Sequence, residues 1–228
     1  MSDQLQLRRD TLANVQAATP AQGELAFATD TDQLFIGDGA TAGGLLLGPS
    51  IPFFGYKSSR FYTGGSTSAS SFTVAANTLY AIPFFALSRA TFTRLGLYVT
   101  AGAAGANARI GLYTNSPSTV GPGSLVAGTD SGSFSTAVAG LQEVTGLSIA
   151  LLPGFYWIAA MFSGAPSVMG CNGGSVLMPY LCGMSTMNAT QNDLGYVASQ
   201  TFGALPASFP AGSLITTTNA LPLLGARL

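Results

Sequence analysis

The sequence predicts a mainly β fold in two modules: a small N-terminal module over residues 1–48 and an antiparallel, jelly-roll-like β-sandwich over residues 51–228. Helical periodicity is absent from the second module. Its short apolar runs are interrupted by Gly, Ser, Pro or Asn about every ten residues, which is typical of a sandwich or barrel. The charges divide the chain as well. Residues 1–50 contain six acidic residues and two arginines, whereas the remainder contains six basic residues and three acidic ones.

The N-terminal module is predicted to contain a strand, a short helix and a β-hairpin. QLQLRR alternates polar and apolar residues as a strand does, and TLANVQAAT has helical spacing with Asp10 or Thr11 as its N-cap. Pro20 ends the helix. The strands GELAF and QLFIG are separated by the turn residues TDTD, and the second stops at Gly37-Asp38-Gly39. So short a segment cannot bury a core of its own, so we expect it to pack against copies of itself or a larger partner.

The second module begins beyond Gly48-Pro49 and is predicted to be built from short strands. The candidates are SSFTV, TLYAIPFFA, ATFTRLGLYVT, ARIGLYTN, LVAGTD, QEVTG, LSIALL, GFYWIAAMFS, SVLMPYL, LGYVASQTF and SLITTT.

Within these strands the alternation assigns faces to particular residues. Pro83 indicates an edge position or a break, and Trp157 is expected in the core. Two sets of residues are expected on opposite faces of one strand: Phe92, Arg94, Gly96, Tyr98 and Thr100 on one, and Thr93, Leu95, Leu97 and Val99 on the other.

Only 7% of the residues are charged and the mean hydropathy is +0.40, so either a membrane or an assembly should cover much of the surface. The apolar stretch LSIALLPGFYWIAAMFSGAP is the candidate membrane span, but Pro153-Gly154 divides it into runs of strand length. The N-terminus lacks the apolar core of a signal peptide. We therefore expect burial in an assembly, and the small net charges predict no nucleic-acid partner.

The sequence predicts no cofactor and no metal site. It contains no histidine, the commonest metal ligand and general base. Asp30, Asp32 and Asp38 are a calcium-site alternative, but hydrogen bonding to their own turns explains them better. Cys171 and Cys182 lie eleven residues apart. Two buried free thiols are the preferred interpretation, with a disulfide as the alternative.

An enzymatic role is not expected. No phosphate-binding Gly-rich motif is present, and a carboxylate pair for glycoside hydrolysis would have to come from Asp130, Glu143 and Asp193, which are far apart in sequence. The default interpretation of all three is a surface turn. Aromatic and amide side chains in the long loop region before and after residue 188 are receptor-contact candidates, because such groups suit sugars and protein surfaces. These are Tyr180, Asn188, Gln191, Asn192 and Tyr196.

The order LQLRR, TPAQGELAF and TDTDQLFIGDGATAGG closely resembles the N-terminal module of tailed-phage fibre proteins, including phage major tropism determinants and phage hyaluronate lyases. One departure is Asp10, where the resemblance leads us to expect Gly. The resemblance covers about the first 48 residues and implies an intertwined trimeric attachment domain. The corresponding assembly candidates are Gln6, Arg8, Arg9, Glu24, Phe27 and Phe35. More weakly, RIGLYTN, PGSLV and LLPGFYWIA resemble a β-sandwich domain of phage fibre and decoration proteins.

Together these patterns predict a structural virion protein, assembled in the host cytoplasm. The preferred role is a short homotrimeric tail fibre in which residues 1–48 attach to another phage structural protein. The sandwich would then contact a glycan or protein of the host surface. A capsid decoration or head-fibre protein is the alternative, and a polysaccharide-degrading enzyme is a third possibility.

Overall fold

The computed structural model describes residues 8–31, 33–47, 56–64, 69–116, 121–171, 195–211, 213–214 and 221–228. The chain divides into two compact units, Met1–Phe54 and Gly55–Leu228. The structure is mainly β with antiparallel sheets, as the sequence predicts. No helix in the described part of the chain is long and apolar enough to span a membrane.

The first unit is a four-stranded sheet with one short helix in its described residues. β1 (Arg8–Asp10) pairs in parallel with β2 (Leu25–Ala28), and α1 (Leu12–Ala17) connects them. β3 (Gln33–Ile36) forms the predicted hairpin with β2, and β4 (Leu45–Leu46) pairs antiparallel to β3. The sequence did not predict β4.

The second unit contains two larger sheets in which all pairs are antiparallel. The sheet that we call the inner sheet has the strand order β11-β10-β15-β7-β17-β18, with β12 also paired to β10. Its strands are β7 (Thr78–Ala86), β10 (Asn107–Asn115), β11 (Pro122–Leu125), β12 (Phe134–Ser135), β15 (Gly154–Phe162), β17 (Tyr196–Ser199) and β18 (Ser213–Leu214).

The sheet that we call the outer sheet has the order β19-β16-β9-β20-β5, with β13 paired to β9 and β6 paired to β16. Its strands are β5 (Phe61–Thr63), β6 (Ala69–Thr73), β9 (Arg94–Ala101), β13 (Gly140–Val144), β16 (Ser167–Cys171), β19 (Leu221–Pro222) and β20 (Leu224–Arg227). A separate pair consists of β8 (Ala90–Phe92) and β14 (Ile149–Leu151).

The main core lies between the inner and outer sheets, so the second unit is a sandwich. Alternate residues of the central strands point into it, as the period of two requires. The inner sheet contributes Tyr80, Ile82, Phe84, Ala108, Ile110, Leu112, Ile158, Ala160 and Phe162, and the outer sheet contributes Leu95, Leu97, Val99, Val168, Leu224 and Ala226. The largest interstrand contact is the β7–β15 ladder, which pairs every residue of β7 from Thr78 to Ala86.

The inner sheet is also covered on its other face, where Leu79, Tyr113, Trp157 and Met161 form a second core with Leu205. Trp157 is fully buried there, which confirms its predicted core position. Gly111 permits this packing, because a Cβ at that position would lie 2.5 Å from Leu205 Cδ1.

Asp130 holds in place the segment that contains Leu205 and covers the inner sheet. Its carboxylate accepts two hydrogen bonds from the Arg109 guanidinium and one each from the backbone N–H groups of Leu205 and Gly132, all between 3.0 and 3.1 Å. The Tyr113 hydroxyl donates to the Pro206 carbonyl at 2.9 Å, and burial raises the pKa of this tyrosine. Burial by itself raises the pKa of Asp130, but the Arg109 hydrogen bonds and then the two N–H groups lower it overall.

Pro83 lies within the continuous strand β7, so the predicted break is absent there. β17 pairs β7 only as far as Ala81, so no described strand pairs with the proline on that side, as the edge interpretation predicts. Two other strand predictions need correction. Phe92 is buried rather than on the face of Arg94, because the run divides at Thr93 into β8 and β9. The strand predicted at LVAGTD lies earlier, at β11, and its Thr129 side chain instead bonds across the turn to Val126 O at 2.8 Å.

Asp130→Asn is predicted to lower the free energy of unfolding of the second unit by about 2–3 kcal/mol at pH 7, because several charge-assisted bonds weaken together. The folded-state pKa of Asp130 is depressed, so its contribution is present above the unfolded pKa and is lost as the pH falls through the folded value. Urea unfolding at pH 7 and at pH 3 measures both effects. Equal stabilities of variant and parent at pH 7 would refute this role for Asp130.

Candidate functional site

The start of helix α1 is built from hydrogen bonds to acidic and hydroxyl side chains. Thr11 is the N-cap, and its hydroxyl accepts from Asn14 N. Asp10 accepts from the Asn14 side-chain amide at 2.7 Å and from Thr11 N at 2.8 Å, and these bonds lower the pKa of Asp10 in that order of importance. Asp30 accepts from Leu12 N at 2.7 Å. Asp30 therefore stabilises a helix start 18 residues away, a contact that the sequence interpretation did not include.

The Gly37-Asp38-Gly39 motif follows β3 and packs against the segment after helix α1, where Gly39 N donates to Pro20 O. A Cβ on Gly37 would lie 2.0 Å from the Ala21 carbonyl oxygen, so only glycine fits. Gly39 has a φ of 75°, in the left-handed region that glycine tolerates best. Asp38 accepts from the Thr41 hydroxyl and from the N–H groups of Thr41 and Ala40, and these bonds lower its pKa to about 2. Asp38 is therefore a turn residue, as predicted.

The calcium-site alternative involves two described residues, Asp30 and Asp38, whose carboxylates make these backbone hydrogen bonds. Asp32 lies outside the described residues. Within the described part of the chain, no three His, Cys, Asp or Glu side chains are grouped as metal ligands.

The predicted assembly residues occupy different environments. Arg8 and Arg9 are exposed on β1. Phe35 is buried with Val15, Ala26 and Ala28 in the unit's own core, whereas Phe27 is half-buried. Glu24 is half-buried and accepts from Ala21 N at 2.8 Å. Gln6 lies outside the described residues. The assembly roles of these residues stay predictions.

β4 and the residue after it form an exposed apolar edge that the sequence analysis did not identify. Leu45, Leu46 and Leu47 are 51%, 46% and 46% exposed. Leu46 lies opposite Phe35 in the ladder, and Leu47 N donates to Leu34 O at 2.6 Å. The three consecutive leucines were the available signal, but they follow a Gly-rich turn at the predicted end of the module.

The candidate catalytic carboxylates of the second unit lie in different sheets. Asp130 follows β11 and holds the segment over the inner sheet. Glu143 lies on β13 of the outer sheet and is paired with Arg94 through Oε1, while its Oε2 lies 3.7 Å from Arg227 Nη1. Asp193 lies outside the described residues. Both described carboxylates are therefore ion-paired rather than simple surface turn residues.

Of the receptor-contact candidates, Tyr196 is within the described residues. It begins β17 and is half-buried, and its ring meets Trp157 edge-on with centroids 5.2 Å apart. Tyr180, Asn188, Gln191 and Asn192 lie outside the described residues, and the role of all five stays a prediction.

Cys171 is buried and its thiol donates to the Leu221 carbonyl at 3.5 Å. Burial raises the pKa of this thiol to about 11, which makes it unreactive near neutral pH. Cys182 lies outside the described residues.

Comparison with known proteins supports the resemblance of the first unit to the N-terminal module of phage fibre proteins. Residues 5–41 match the family described as the major tropism determinant N-terminal domain. The resemblance predicted from the LQLRR and GDG motifs is therefore confirmed over this segment, which ends within the turn that precedes β4.

The other comparisons add little. No curated protein matches the chain. One similar solved structure contains the cysteine protease and lectin-like domains of Cwp84, a surface layer associated protein of Clostridium difficile. The identity is 12% and the TM-score 0.41, over 71% of this chain and 36% of that chain. This chain therefore spans about a third of the length of that structure.

Gly37→Ala is predicted to destabilise the first unit by about 3 kcal/mol or more, because the new methyl group meets backbone atoms that cannot move aside. Hydrogen exchange of the amides in β2 and β3 would report the loss of protection. Gly23→Ala is the matched control: Gly23 has a φ of 82° but open space around it, so the expected cost is only about 1–2 kcal/mol. Equal protection in the two variants would contradict the close-approach explanation.

Proposed function

We propose that this chain is a structural virion protein of a tailed phage, namely a short homotrimeric tail fibre that contacts the host surface. Residues 1–48 would trimerise and attach to another phage structural protein, and the sandwich would present the contact surface. The observation that carries this proposal is the match of residues 5–41 to the major tropism determinant N-terminal domain. The role is structural and non-enzymatic.

The small core of the first unit supports self-association. Its buried apolar side chains, among the described residues, are Val15, Ala26, Ala28 and Phe35. Full burial of a valine or phenylalanine contributes about 1.5–3 kcal/mol, whereas ordering the backbone costs about 1–2 kcal/mol per residue. Among the described residues, burial therefore offsets little of this cost, and in the proposed trimer a partner surface supplies further burial.

The exposed leucines of the β4 edge indicate where such a partner would pack. Successive side chains of a strand point to opposite faces, so Leu46 and its neighbours Leu45 and Leu47 project from both sides of the edge. Exposed apolar edges favour association with another chain. In the proposed trimer, neighbouring copies bury this edge.

Host contact by such a fibre is multivalent. Three sandwiches attached to one trimeric module approach a surface together, so the binding of the second and third copies becomes intramolecular. Individually weak contacts then produce useful avidity, which is consistent with a unit whose described surface has few charged groups.

Competition for adsorption tests the host-contact role. Purified chain added in excess to host cells is expected to reduce adsorption of the phage particles that carry it, because both use the same surface receptor. A chain of matched length without receptor affinity serves as the control. Unchanged adsorption at saturating protein would overturn the tail-fibre role.

Leu45→Ser combined with Leu47→Ser is predicted to dissociate the trimer. Each buried leucine contributes about 1.5–3 kcal/mol, so the dissociation constant should rise at least about a hundredfold. Light scattering would show about three times 23.1 kDa for the parent chain and a shift towards 23.1 kDa for the variant.

The matched control for this variant is Leu152→Ser, because Leu152 is 55% exposed in the second unit. The control should keep the parent mass. A soluble monomer formed by the parent chain itself would refute trimerisation.

A further inference from the structure

The basic residues of the second unit are concentrated at one corner of the outer sheet. Arg94 on β9 and Phe61 on β5 are the two cross-strand partners of Arg227 on β20. Arg60 immediately precedes Phe61 and is exposed, and Lys57 lies just before the turn at Ser58 and Ser59. The corner thus holds four of the six basic residues that follow position 54. The carboxylate that the described structure places among them is Glu143.

The two arginines share one carboxylate. Like charges directly opposite each other on neighbouring strands are unfavourable, and Arg94 faces Arg227 in this way. Arg94 Nη1 donates to Glu143 Oε1. Arg227 Nη1 lies 3.7 Å from Oε2, which is too long for a hydrogen bond, and Arg227 Nε is buried with no hydrogen-bond partner among the described residues. The pair therefore keeps an excess positive charge, and the side chains of Arg94 and Arg227 are 35% and 22% exposed.

Two glycines leave space for the ring of Phe61, which in turn positions Arg227 on this face. Gly96 and Gly225 are direct cross-strand partners, and a Cβ on either would lie 3.2 Å from the ring of Phe61. The ring of Phe61 covers these two glycines. The Arg227 guanidinium carbon lies 5.7 Å from the ring centroid, within reach of a cation–π interaction. Arg227 is thus held on this face, with 22% of its side chain exposed, by contacts other than its ion pair.

The same face continues into exposed aromatic and hydroxyl groups. Tyr98 is 48% exposed and pairs with Leu141, also 48% exposed. At about 3.3 Å per residue, Tyr98 lies about 13 Å along β9 from Arg94. Beyond it, the hydroxyls of Thr100 and Ser71 bond to each other at 2.7 Å. Basic, aromatic and hydroxyl groups therefore follow one another along one face of the sheet.

We propose that this face binds an anionic polysaccharide of the host surface, with a carboxylate, sulfate or phosphate group on the exposed side of Arg94 and Arg227. Guanidinium groups suit such anions because their donors match the geometry of the paired oxygens. A sugar ring of the same polysaccharide packs on Tyr98, and hydroxyl groups of the sugar bond to Thr100 or Ser71. This inference rests on the proposed function, because it names the ligand class of the host-contact surface.

The test measures binding of the full chain to immobilised polygalacturonate, dextran sulfate and a polyribitol phosphate, which distinguish the three kinds of anion. Neutral dextran and single-stranded DNA are included as controls. We expect binding to at least one anionic polymer, weakening with salt, with little binding to neutral dextran. Arg227→Gln should weaken it about tenfold and the exposed Arg60→Gln about threefold.

One further variant separates a binding role from a structural one. Glu143→Gln removes the competing carboxylate and should tighten binding about threefold, whereas a purely structural ion-pair cluster would lose stability without tighter binding. Thermal unfolding of every variant shows which of them remain folded.

Several outcomes would overturn the inference. These are no binding to any anionic polymer, equal binding to neutral dextran, unchanged binding of a folded Arg227→Gln chain, or equally tight binding of DNA. Adsorption of the same variants to host cells separates this inference from the proposed function. If the parent and Arg60→Gln chains adsorb equally, the tail-fibre role stands and the acidic ligand is wrong. If the parent chain does not adsorb, the tail-fibre role itself fails.

Discussion

The scarcity of charged side chains is the constraint on which this structure depends. All six acidic residues in the described part of the chain are bound: Asp10, Glu24, Asp30 and Asp38 by N–H groups or hydroxyls of the first unit, and Asp130 and Glu143 by arginines of the second. Each fixes a turn, a helix start or a sheet face. The few charged side chains therefore stabilise local structure. Few remain on the described surface to provide charge repulsion between copies of the chain.

The two units respond differently to this constraint. The second has a double core, with the inner sheet covered by the outer sheet on one face and by the segment that contains Leu205 on the other. The first has a small core and an apolar edge at Leu45, Leu46 and Leu47. Packing among the described residues is therefore extensive in the second unit, whereas the described part of the first unit leaves an apolar edge exposed, which is compatible with the proposed attachment role.

Much of this architecture could be predicted from the sequence, because the signals were local. The turn after β3 was predicted from Gly37, Asp38 and Gly39, and the start of α1 was predicted from Thr11. The core-facing side of β9 was predicted from the alternation of Leu95, Leu97 and Val99. Long-range contacts could not be predicted. The bond from Leu12 N to Asp30 and the pairing of Arg227 with Glu143 depend on residues brought together only by folding. The basic corner was missed for this reason: its residues extend from Lys57 to Arg227 along the chain.

The most direct test of the account is a cryo-EM map of the intact phage particle in which this chain's density is located. The account predicts three copies at the tail tip or baseplate, with residues 1–48 against another structural protein and the outer sheets accessible from outside. Density on the capsid would contradict the tail-fibre role and would instead support a decoration or head-fibre protein.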